Sequence, residues 1–564
     1  MTPKQNSGHN TKQNAGGFIV KALEAYGVSR VFCVPGESFL PLLDALQDST
    51  IHTVLARHEG GAAIMAEADA KLTRQPGVVA VTRGPGATNA SAGIHIAQQD
   101  STPLLLLVGQ VARDMRGRDA FQEVDYPAFF GGMAKYVVEI SDPNTLPQEM
   151  QKAMRIALSG RPGPVVISLP EDMLYDSLSD ADNKVLPLNP PRLPSPDAQD
   201  VRRLADMIGN AKAPMIIAGG PNWTKDGQKH LEALANAADI PICCSFRRQW
   251  VVHNLSQVYA GDLGRGCNPK LLARIKSSDL VIVFGGRLSE IPAQGYRLID
   301  IPKPQMPFVH IHRDQNEIGR VYKPSLALVG DENRIAADLA GILAQKAKPQ
   351  TPLIDAAHAD YMAWSQVFTE EPGEGVSISK LVGWLRDTLP DNAIITNGAG
   401  NYGTWVHRFY HYRHVHSQLA PIAGSMGYGL PAAVAAALRC PDRPVIAFAG
   451  DGCFQTSMQE LATARQEGAK LIALVIDNGM YGTIRMHQEQ HFPGRNRLTS
   501  LVNPDFVALA ESMGCLALRV DKDAEFAPAM KKALAADIPV LVHVRADPEA
   551  ISPGVALSKV KAVG

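Results

Sequence analysis

The chain has 564 residues, of which 45% are hydrophobic and 20% are charged, so it has apolar material for several packed cores and is not a disordered chain. Its 55 basic and 56 acidic side chains leave a formal charge of −1, which gives no reason to expect nucleic acid or an anionic membrane as a partner. The seven cysteines are sparse and odd in number, as is typical of reduced core thiols. No apolar stretch approaches the length of a membrane span, and we expect a soluble, cytoplasmic protein.

Short aliphatic runs alternate with alanine-rich helical patterns along the chain. Runs such as 104–108 are apolar throughout, as in parallel strands that are buried on both faces and joined by crossover helices. Two proline-rich segments, 186–196 and 346–353, interrupt the alternation and suit extended linkers. The sequence therefore predicts an α/β protein with three doubly wound parallel-sheet domains, at 14–185, 195–345 and 372–550.

The strongest chemical signal lies in the third of these segments. An apolar run, 445–449, ends in a Gly-Asp-Gly turn at 450–452, and a second apolar run ends in an Asp-Asn pair at 477–478. If the two runs are neighbouring strands, Asp451 and Asn478 lie side by side at the edge of the sheet where ligands bind. Carboxylate and amide oxygens suit Mg²⁺, which completes its shell with phosphate oxygens. Taken alone, the same turn could be a strand-to-helix connection with a capping aspartate.

Six motifs in one order resemble the acetolactate synthase branch of the thiamine-diphosphate-dependent enzymes. Besides the Gly-Asp-Gly and Asp-Asn pattern, they are RHEGGAA around Glu59, TRGPGATN at 82–89, FQEVDY at 121–126, GRPGPV at 160–165 and SMGYGLPAA at 425–433. The resemblance implies a pyrimidine-binding domain, a middle domain and a diphosphate-binding domain, all α/β. It also implies thiamine diphosphate and Mg²⁺ as cofactors.

The resemblance further implies roles for individual residues. Glu59 is implied as the catalytic carboxyl group that exchanges a proton with N1′ of the cofactor, and Gln122 as a second catalytic residue. The implied Mg²⁺ ligands are Asp451, Asn478 and the carbonyl group of Met480. The implied substrate contacts are Glu37, Phe121, Gln122, Ile484 and His487. The implied cofactor contacts, besides Glu59, are Pro85, Asn89, Gly400, Asn401, Tyr402, Gly424, Met426, Gly450, Asp451, Gly452, Cys453, Asn478, Met480, Tyr481 and Gly482.

In this family the two halves of the cofactor are held by different domains, and the resemblance implies that these domains meet across chains. Glu59 of one subunit would face Asp451 of its partner, so we expect a homodimer or homotetramer. FAD is a further candidate cofactor that the sequence does not favour. Glycine turns at 219–220 and 285–286 fall at strand ends where the synthases hold flavin, but such turns occur in any doubly wound sheet.

The reaction itself leaves alternatives. The Phe-Gln-Glu run at 121–123 favours decarboxylation of a 2-oxo acid, with pyruvate first, and carboligation to a second carbonyl compound. Three departures favour a related 2-oxo-acid decarboxylase or carboligase with another acceptor: Glu37 where the synthases have Gly, His487 where they have Trp, and Cys453 where Ser is more usual. The alternative of another class is a non-catalytic cofactor-binding homologue, and the presence of Glu59 speaks against it.

Overall fold

The structure is a computed structural model, and it describes residues 14–179, 182–345, 352–371 and 373–560. Part of the second proline-rich linker, 346–351, lies outside these ranges. The chain divides into two compact units, 1–191 and 192–564. The first unit holds one six-stranded sheet and the second unit holds two. Within the described ranges, no helix has the length and apolar character needed to cross a bilayer.

The first unit is a parallel α/β sheet. Its strands and helices are β1 (Arg30–Cys33), β2 (His52–Leu55), β3 (Gly77–Val81), β4 (Leu104–Gln110), β5 (Tyr136–Glu139), β6 (Pro164–Pro170), α1 (Ala15–Ala25), α2 (Leu40–Gln47), α3 (Glu59–Thr73), α4 (Pro85–Asp100), α5 (Tyr126–Phe130) and α6 (Leu146–Leu158). The strand order is β2-β1-β3-β4-β6-β5, with every pair parallel. Strands β3 and β4 are buried along their whole length, as continuous apolar runs between two helical layers should be.

The second sheet has the strand order of dinucleotide-binding folds. Its elements are β7 (Pro214–Ala218), β8 (Ile242–Ser245), β9 (Tyr259–Leu263), β10 (Leu280–Phe284), β11 (Phe308–His312), β12 (Leu326–Val329), α7 (Ala198–Asn210), α8 (Lys225–Ala238), α9 (Pro269–Lys276), α10 (Glu332–Leu343) and α11 (Leu353–Trp364). The order β12-β11-β10-β7-β8-β9 reverses direction between β10 and β7. At this point Gly220 has a φ of +81° and packs on Gly285, where an added Cβ atom would lie 2.1 Å from the carbonyl oxygen of Gly285. Backbone packing therefore accounts for these glycines without a flavin.

The third sheet repeats the topology of the first. Its elements are β13 (Ile394–Asn397), β14 (Gln418–Leu419), β15 (Val445–Gly450), β16 (Ile472–Asp477), β17 (Leu516–Val520), β18 (Val540–Arg545), α12 (Ile378–Thr388), α13 (Tyr402–Phe409), α14 (Gly429–Arg439), α15 (Asp451–Gln455), α16 (Glu460–Glu467), α17 (Gly482–His491), α18 (Phe506–Ser512) and α19 (Asp523–Leu534). A short antiparallel hairpin follows, β19 (Ala550–Ser552) and β20 (Val555–Ala556). The order β14-β13-β15-β16-β18-β17 places β15 and β16 side by side and parallel, with Gly450 opposite Ile476.

Three parallel six-stranded sheets confirm the predicted fold class. The second and third sheets share one hydrophobic cluster, which includes Ile216 and Phe284 from one sheet and Ile395 and Phe448 from the other. The boundaries of the three predicted segments remain predictions, because the chain divides compactly only into the two units.

Candidate active site

A cavity of about 240 Å³ lies at the carboxyl edge of the third sheet. Parallel strands end at the same edge, so the turns after β13, β15 and β16 meet there. The start of α17 and the first strand of the terminal hairpin complete the wall. The predicted residues that line this cavity are Gly400, Asn401, Tyr402, Gly424, Met426, Gly450, Asp451, Gly452, Cys453, Asn478, Met480, Tyr481, Gly482 and Ile484.

Glycines at this edge of the sheet leave room for side chains that line the cavity. A Cβ atom on Gly450 would lie 2.7 Å from the Tyr402 ring, and one on Gly452 would lie 2.5 Å from the Tyr481 ring. Gly424 has a φ of +70°, and a Cβ atom added there would have no neighbour within 4 Å. The two tyrosine rings can therefore pack on the turn only because residues 450 and 452 have no side chain.

Asp451 is the buried carboxylate of the cavity. Its Oδ1 accepts a hydrogen bond from the Gly452 N–H at 2.9 Å, and its Oδ2 accepts one from Nδ2 of Asn503 at 2.8 Å. Burial raises the pKa of Asp451 to about 6, and the nearby charge of Asp477 acts in the same direction. Asn503 is the residue that sets this geometry, because the same Nδ2 also donates to Oδ1 of Asp477 at 2.7 Å.

The second carboxylate, Asp477, is held on its other side by His543. The His543 Nε2 lies 2.8 Å from Oδ2 of Asp477. Burial acts to raise the pKa of Asp477, but hydrogen bonds, of which the largest contributions come from His543 and the Gly479 N–H, outweigh it, and that pKa is lowered. Sequence reasoning missed Asn503 and His543, because neither follows a strand with a glycine turn that would have drawn attention to it.

The donor set at this edge fits a hard divalent cation. Asp451 offers a carboxylate, Asn478 an amide oxygen and Met480 a main-chain carbonyl, and all three residues line the cavity. In the described ranges, no three His, Cys, Asp or Glu side chains are grouped closely enough to hold a metal. A metal at this edge would therefore depend on one carboxylate together with neutral oxygen donors and phosphate.

Two predicted diphosphate contacts are engaged with protein groups. The Tyr402 hydroxyl donates to Sγ of Cys453 at 3.0 Å and accepts from the Gly398 N–H at 3.1 Å. Burial raises the pKa of both side chains. Nδ2 of Asn401 donates to the carbonyl of Ile551 at 2.9 Å. Direct contact of Asn401 and Tyr402 with a cofactor stays a prediction.

The first unit brings together three of its predicted residues. Glu59 is the first residue of α3, and Pro85 is the first residue of α4. Nδ2 of Asn89 donates to Oε2 of Glu59 at 3.0 Å. A Cβ atom on Gly86 would lie 3.5 Å from Oε1 of Glu59. The carboxyl group thus has one oxygen fixed by an amide and the other beside a glycine.

Gln122 occupies a strained turn next to this group. Its φ is +66°, which is uncommon for a residue other than glycine, and a Cβ atom on Gly84 would lie 2.7 Å from Cβ of Gln122. Its buried Oε1 has no hydrogen-bond partner among the described residues. Strain together with an unsatisfied buried oxygen is typical of functional positions. The neighbouring Phe121 is 77% exposed.

A charged bridge at the edge of the first sheet was missed by sequence reasoning. Nη1 of Arg83 lies 2.6 Å from Oε2 of Glu171, and Nη2 lies 3.4 Å from Oε1 of Glu37. The Arg83 side chain is buried, whereas that of Glu37 is 61% exposed. Arg83 stands inside the TRGPGATN motif, whose pattern indicates a glycine turn and not a charged bridge.

The two substrate contacts predicted on α17 differ in position. Ile484 lines the cavity and is 52% exposed. His487 lies about one turn further along and is not among the lining residues; its ring stacks on that of His491, with centroids 6.4 Å apart. The role of His487 stays a prediction.

Three family models match the chain. Their descriptions are "Thiamine pyrophosphate enzyme, N-terminal TPP binding domain" at 13–129, "central domain" at 201–339 and "C-terminal TPP binding domain" at 398–544. The chain is 32% identical over 526 residues to the acetolactate synthase large subunit of Corynebacterium glutamicum, which covers 91% of this chain and 84% of the relative. It is 30% identical over 542 residues to the acetolactate synthase isozyme 2 large subunit of Escherichia coli, covering 95% and 96%. A probable acetolactate synthase large subunit of Methanocaldococcus jannaschii is 31% identical over 550 residues, covering 95% and 92%.

With three such α/β domains in order, the chain is a thiamine-pyrophosphate-dependent enzyme; thiamine pyrophosphate is thiamine diphosphate under its other name. It belongs to the thiamine pyrophosphate enzyme family, in the branch of the acetolactate synthase large subunits. The predicted family is confirmed.

Proposed function

We propose that the chain decarboxylates a 2-oxo acid, with pyruvate first, and joins the remaining unit to the carbonyl group of a second molecule, as an acetolactate synthase. It would use thiamine diphosphate and Mg²⁺. The observation that carries this proposal is the cavity at the carboxyl edge of the third sheet, which is lined by the predicted cofactor residues of that domain. The identity to acetolactate synthases over more than nine-tenths of the chain supports the choice of reaction.

Thiamine diphosphate, when bound, supplies a carbon nucleophile and an electron sink. The residues of the chain do the rest. Glu59 holds and returns a proton at N1′ of the cofactor, and Asn89 orients it by fixing one carboxyl oxygen. Asp451, Asn478 and Met480 would hold Mg²⁺, and the metal would supply positive charge for the diphosphate. The amide group of Gln122, with its unpaired oxygen, is available to orient a substrate or an attacking group.

A second candidate function is a carboligase or decarboxylase that takes a different acceptor. The exposed carboxylate of Glu37 and its bridge to Arg83 favour it. These groups put charge at the sheet edge beside Gly84 and Gln122, so a polar substrate could be recognised there. His487 on α17 is a further polar residue at a position where the resemblance implies an apolar acceptor site.

The assembly is also part of the proposal. As the resemblance to the family implies, a homodimer or homotetramer would complete each site with Glu59 from one chain and Asp451 from its partner. FAD is not required by the proposal, and an absorption band of the purified protein at roughly 450 nm, where oxidised flavins absorb, would be needed to add it. We also propose a cytoplasmic location, because the seven cysteines are sparse and odd in number.

The direct test supplies the full-length protein with pyruvate, thiamine diphosphate and Mg²⁺. We expect release of CO₂ and formation of acetolactate, measured after its conversion to acetoin, and neither product when the cofactor is left out. Release of CO₂ without acetolactate would favour the second candidate. A panel of 2-oxo acids and aldehydes would then identify its substrates. No CO₂ from any 2-oxo acid would contradict both enzyme proposals and favour the non-catalytic homologue.

A further inference from the structure

The turn after β8 carries an arginine that reaches from the second sheet to the third. Arg247 is only 4% exposed, and its φ is +58°. A side chain other than glycine adopts this backbone conformation at a cost. Strain of this kind persists only where the surrounding structure stabilises it.

The Arg247 guanidinium donates to two main-chain carbonyls of the third domain. Nη2 donates to the carbonyl of Gly398 at 2.7 Å, and Nη1 donates to the carbonyl of Pro421. Gly398 leads directly into 400–402, and Pro421 is joined to Gly424 by a turn hydrogen bond of 3.0 Å. One planar fork thus spans the loop predicted to hold diphosphate and the loop predicted to hold the pyrimidine ring.

Gly398 has no freedom to move independently of the cavity. An added Cβ atom would lie 2.6 Å from Sγ of Cys453 and 3.2 Å from the Tyr402 hydroxyl. The Gly398 N–H donates to that hydroxyl at 3.1 Å. Because Cys453 and Tyr402 both line the cavity, a shift of Gly398 would be transmitted to the cavity wall.

The rest of the same segment bonds the third domain away from the cavity. Nε2 of Gln249 donates to the carbonyl of His407 at 2.7 Å. The Asn254 N–H donates to the carbonyl of Tyr412 at 2.9 Å, and Oδ1 of Asn254 accepts from the Tyr412 N–H at 2.8 Å. None of these four residues lines the cavity. Asn254 is fully buried and gives a matched control. Removing its side chain weakens the contact between the same two domains without removing a hydrogen bond to either cofactor loop.

We propose that Arg247 is a positioning residue for the cofactor: its fork holds the two cofactor loops at a fixed separation, and the middle domain thereby sets the affinity for thiamine diphosphate. The inference rests on the proposed function in one respect, that the cavity of the third sheet binds this cofactor. Arg247→Lys keeps the charge but loses the planar fork, and Arg247→Met keeps much of the volume but loses both. Comparing the two variants separates the fork from the charge.

The test measures the dissociation constant of thiamine diphosphate with saturating Mg²⁺, by calorimetry on the full chain, and the urea midpoint without cofactor. We expect both Arg247 variants to bind the cofactor at least about tenfold more weakly than wild type, which is about 1.4 kcal/mol. The dissociation constants of Arg247→Lys and Arg247→Met should differ by no more than about threefold. Asn254→Ala should lower the urea midpoint and leave the dissociation constant within about twofold of wild type.

The outcomes separate this inference from the proposed function. If wild type binds no thiamine diphosphate, the proposed function fails and takes the inference with it. If wild type binds and folded Arg247→Lys binds within about twofold of it, only the inference is overturned. It is also overturned if neither Arg247 variant folds, since Arg247 would then be a folding determinant, or if Asn254→Ala weakens cofactor binding as much as the Arg247 variants do.

Discussion

At the scale of single residues, Glu59 has the surroundings of a proton carrier. One carboxyl oxygen accepts from Asn89 at 3.0 Å, and the other faces the space left by Gly86. In Glu59→Gln the amide can still bond N1′ but cannot exchange its proton. We expect turnover to fall by more than the roughly 10²–10⁴ that general acid–base groups contribute, because this proton transfer precedes every later step.

Two quantities are measured for Glu59→Gln: the steady-state rate with pyruvate and the thermal unfolding temperature. Gln and Glu have nearly the same shape, and Asn89 can still donate to the amide oxygen of Gln. The unfolding temperature should therefore stay close to that of wild type. A variant that keeps more than about a tenth of wild-type turnover would contradict the assignment of Glu59.

A second prediction at this scale concerns Asp451. It is the one charged group among the three implied metal ligands, and it is buried between Gly452 and Asn503. Asp451→Ala should abolish the Mg²⁺-dependent binding of thiamine diphosphate, because the metal and the diphosphate would lose their shared charged ligand. Calorimetry with and without Mg²⁺ measures this directly.

The matched control for Asp451 is Asp505, another carboxylate of the same domain. Asp505 caps α18 by accepting from the Val507 and Ala508 N–H groups, and it does not line the cavity. Asp505→Ala should cost about 1 kcal/mol of stability, as is usual for a lost cap, and leave cofactor affinity unchanged. Unchanged affinity in Asp451→Ala would refute the metal site.

At the scale of elements, α17 holds two of the residues that are predicted to contact the substrate. The structure gives it no buried residue, and Ile484 and His487 are three residues apart, so they share a face. If that face meets the acceptor, His487→Trp should add an apolar wall and raise selectivity for 2-oxobutyrate over pyruvate by roughly 1–3 kcal/mol, the worth of one methylene contact. Competition assays with both acceptors measure this. If wild type already discriminates between the two acceptors as sharply as His487→Trp does, His487 does not line the pocket.

The elements also show how far sequence patterns reach. The strand ending at Gly450 and its parallel neighbour ending at Asp477 were predictable, because buried parallel strands are continuous apolar runs with glycine turns at their ends. The sequence over 458–464 has a helical pattern, but α16 begins only at Glu460. Met458 lies before it in a turn, where its carbonyl accepts from the Leu461 N–H. Helix limits of this kind depend on a few local hydrogen bonds that periodicity does not encode.

The parts of the site that sequence reasoning missed are non-local. Asn503 meets Asp451 across 52 positions of sequence, and Arg247 meets Gly398 across 151. No periodic pattern or motif spacing joins such residues. The fold of the third domain brings the first pair together, and packing of the second sheet against the third brings the second pair together. Arg83 was hidden for a different reason: it stands inside a glycine motif whose backbone function masks its side chain.

At the scale of the whole molecule, the proposed assembly requires two chains for each site. Glu59 lies in the first unit and Asp451 in the second, and the proposal takes one from each subunit. Glu59→Gln and Asp451→Ala should each be inactive when purified alone. A mixed dimer of the two variants, however, would contain one site with both defects and one site with both wild-type residues.

Complementation between the two variants therefore tests the assembly. When both are co-expressed in equal amounts and pair at random, half of the dimers are mixed and each has one intact site of two. We expect about a quarter of wild-type activity to return, and about half when mixed dimers are isolated through two different affinity tags. If Glu59 and Asp451 of the same chain formed the site, every site would carry one defect and no activity would return. Mixing the two proteins after purification, without subunit exchange, is the control, and it should stay inactive.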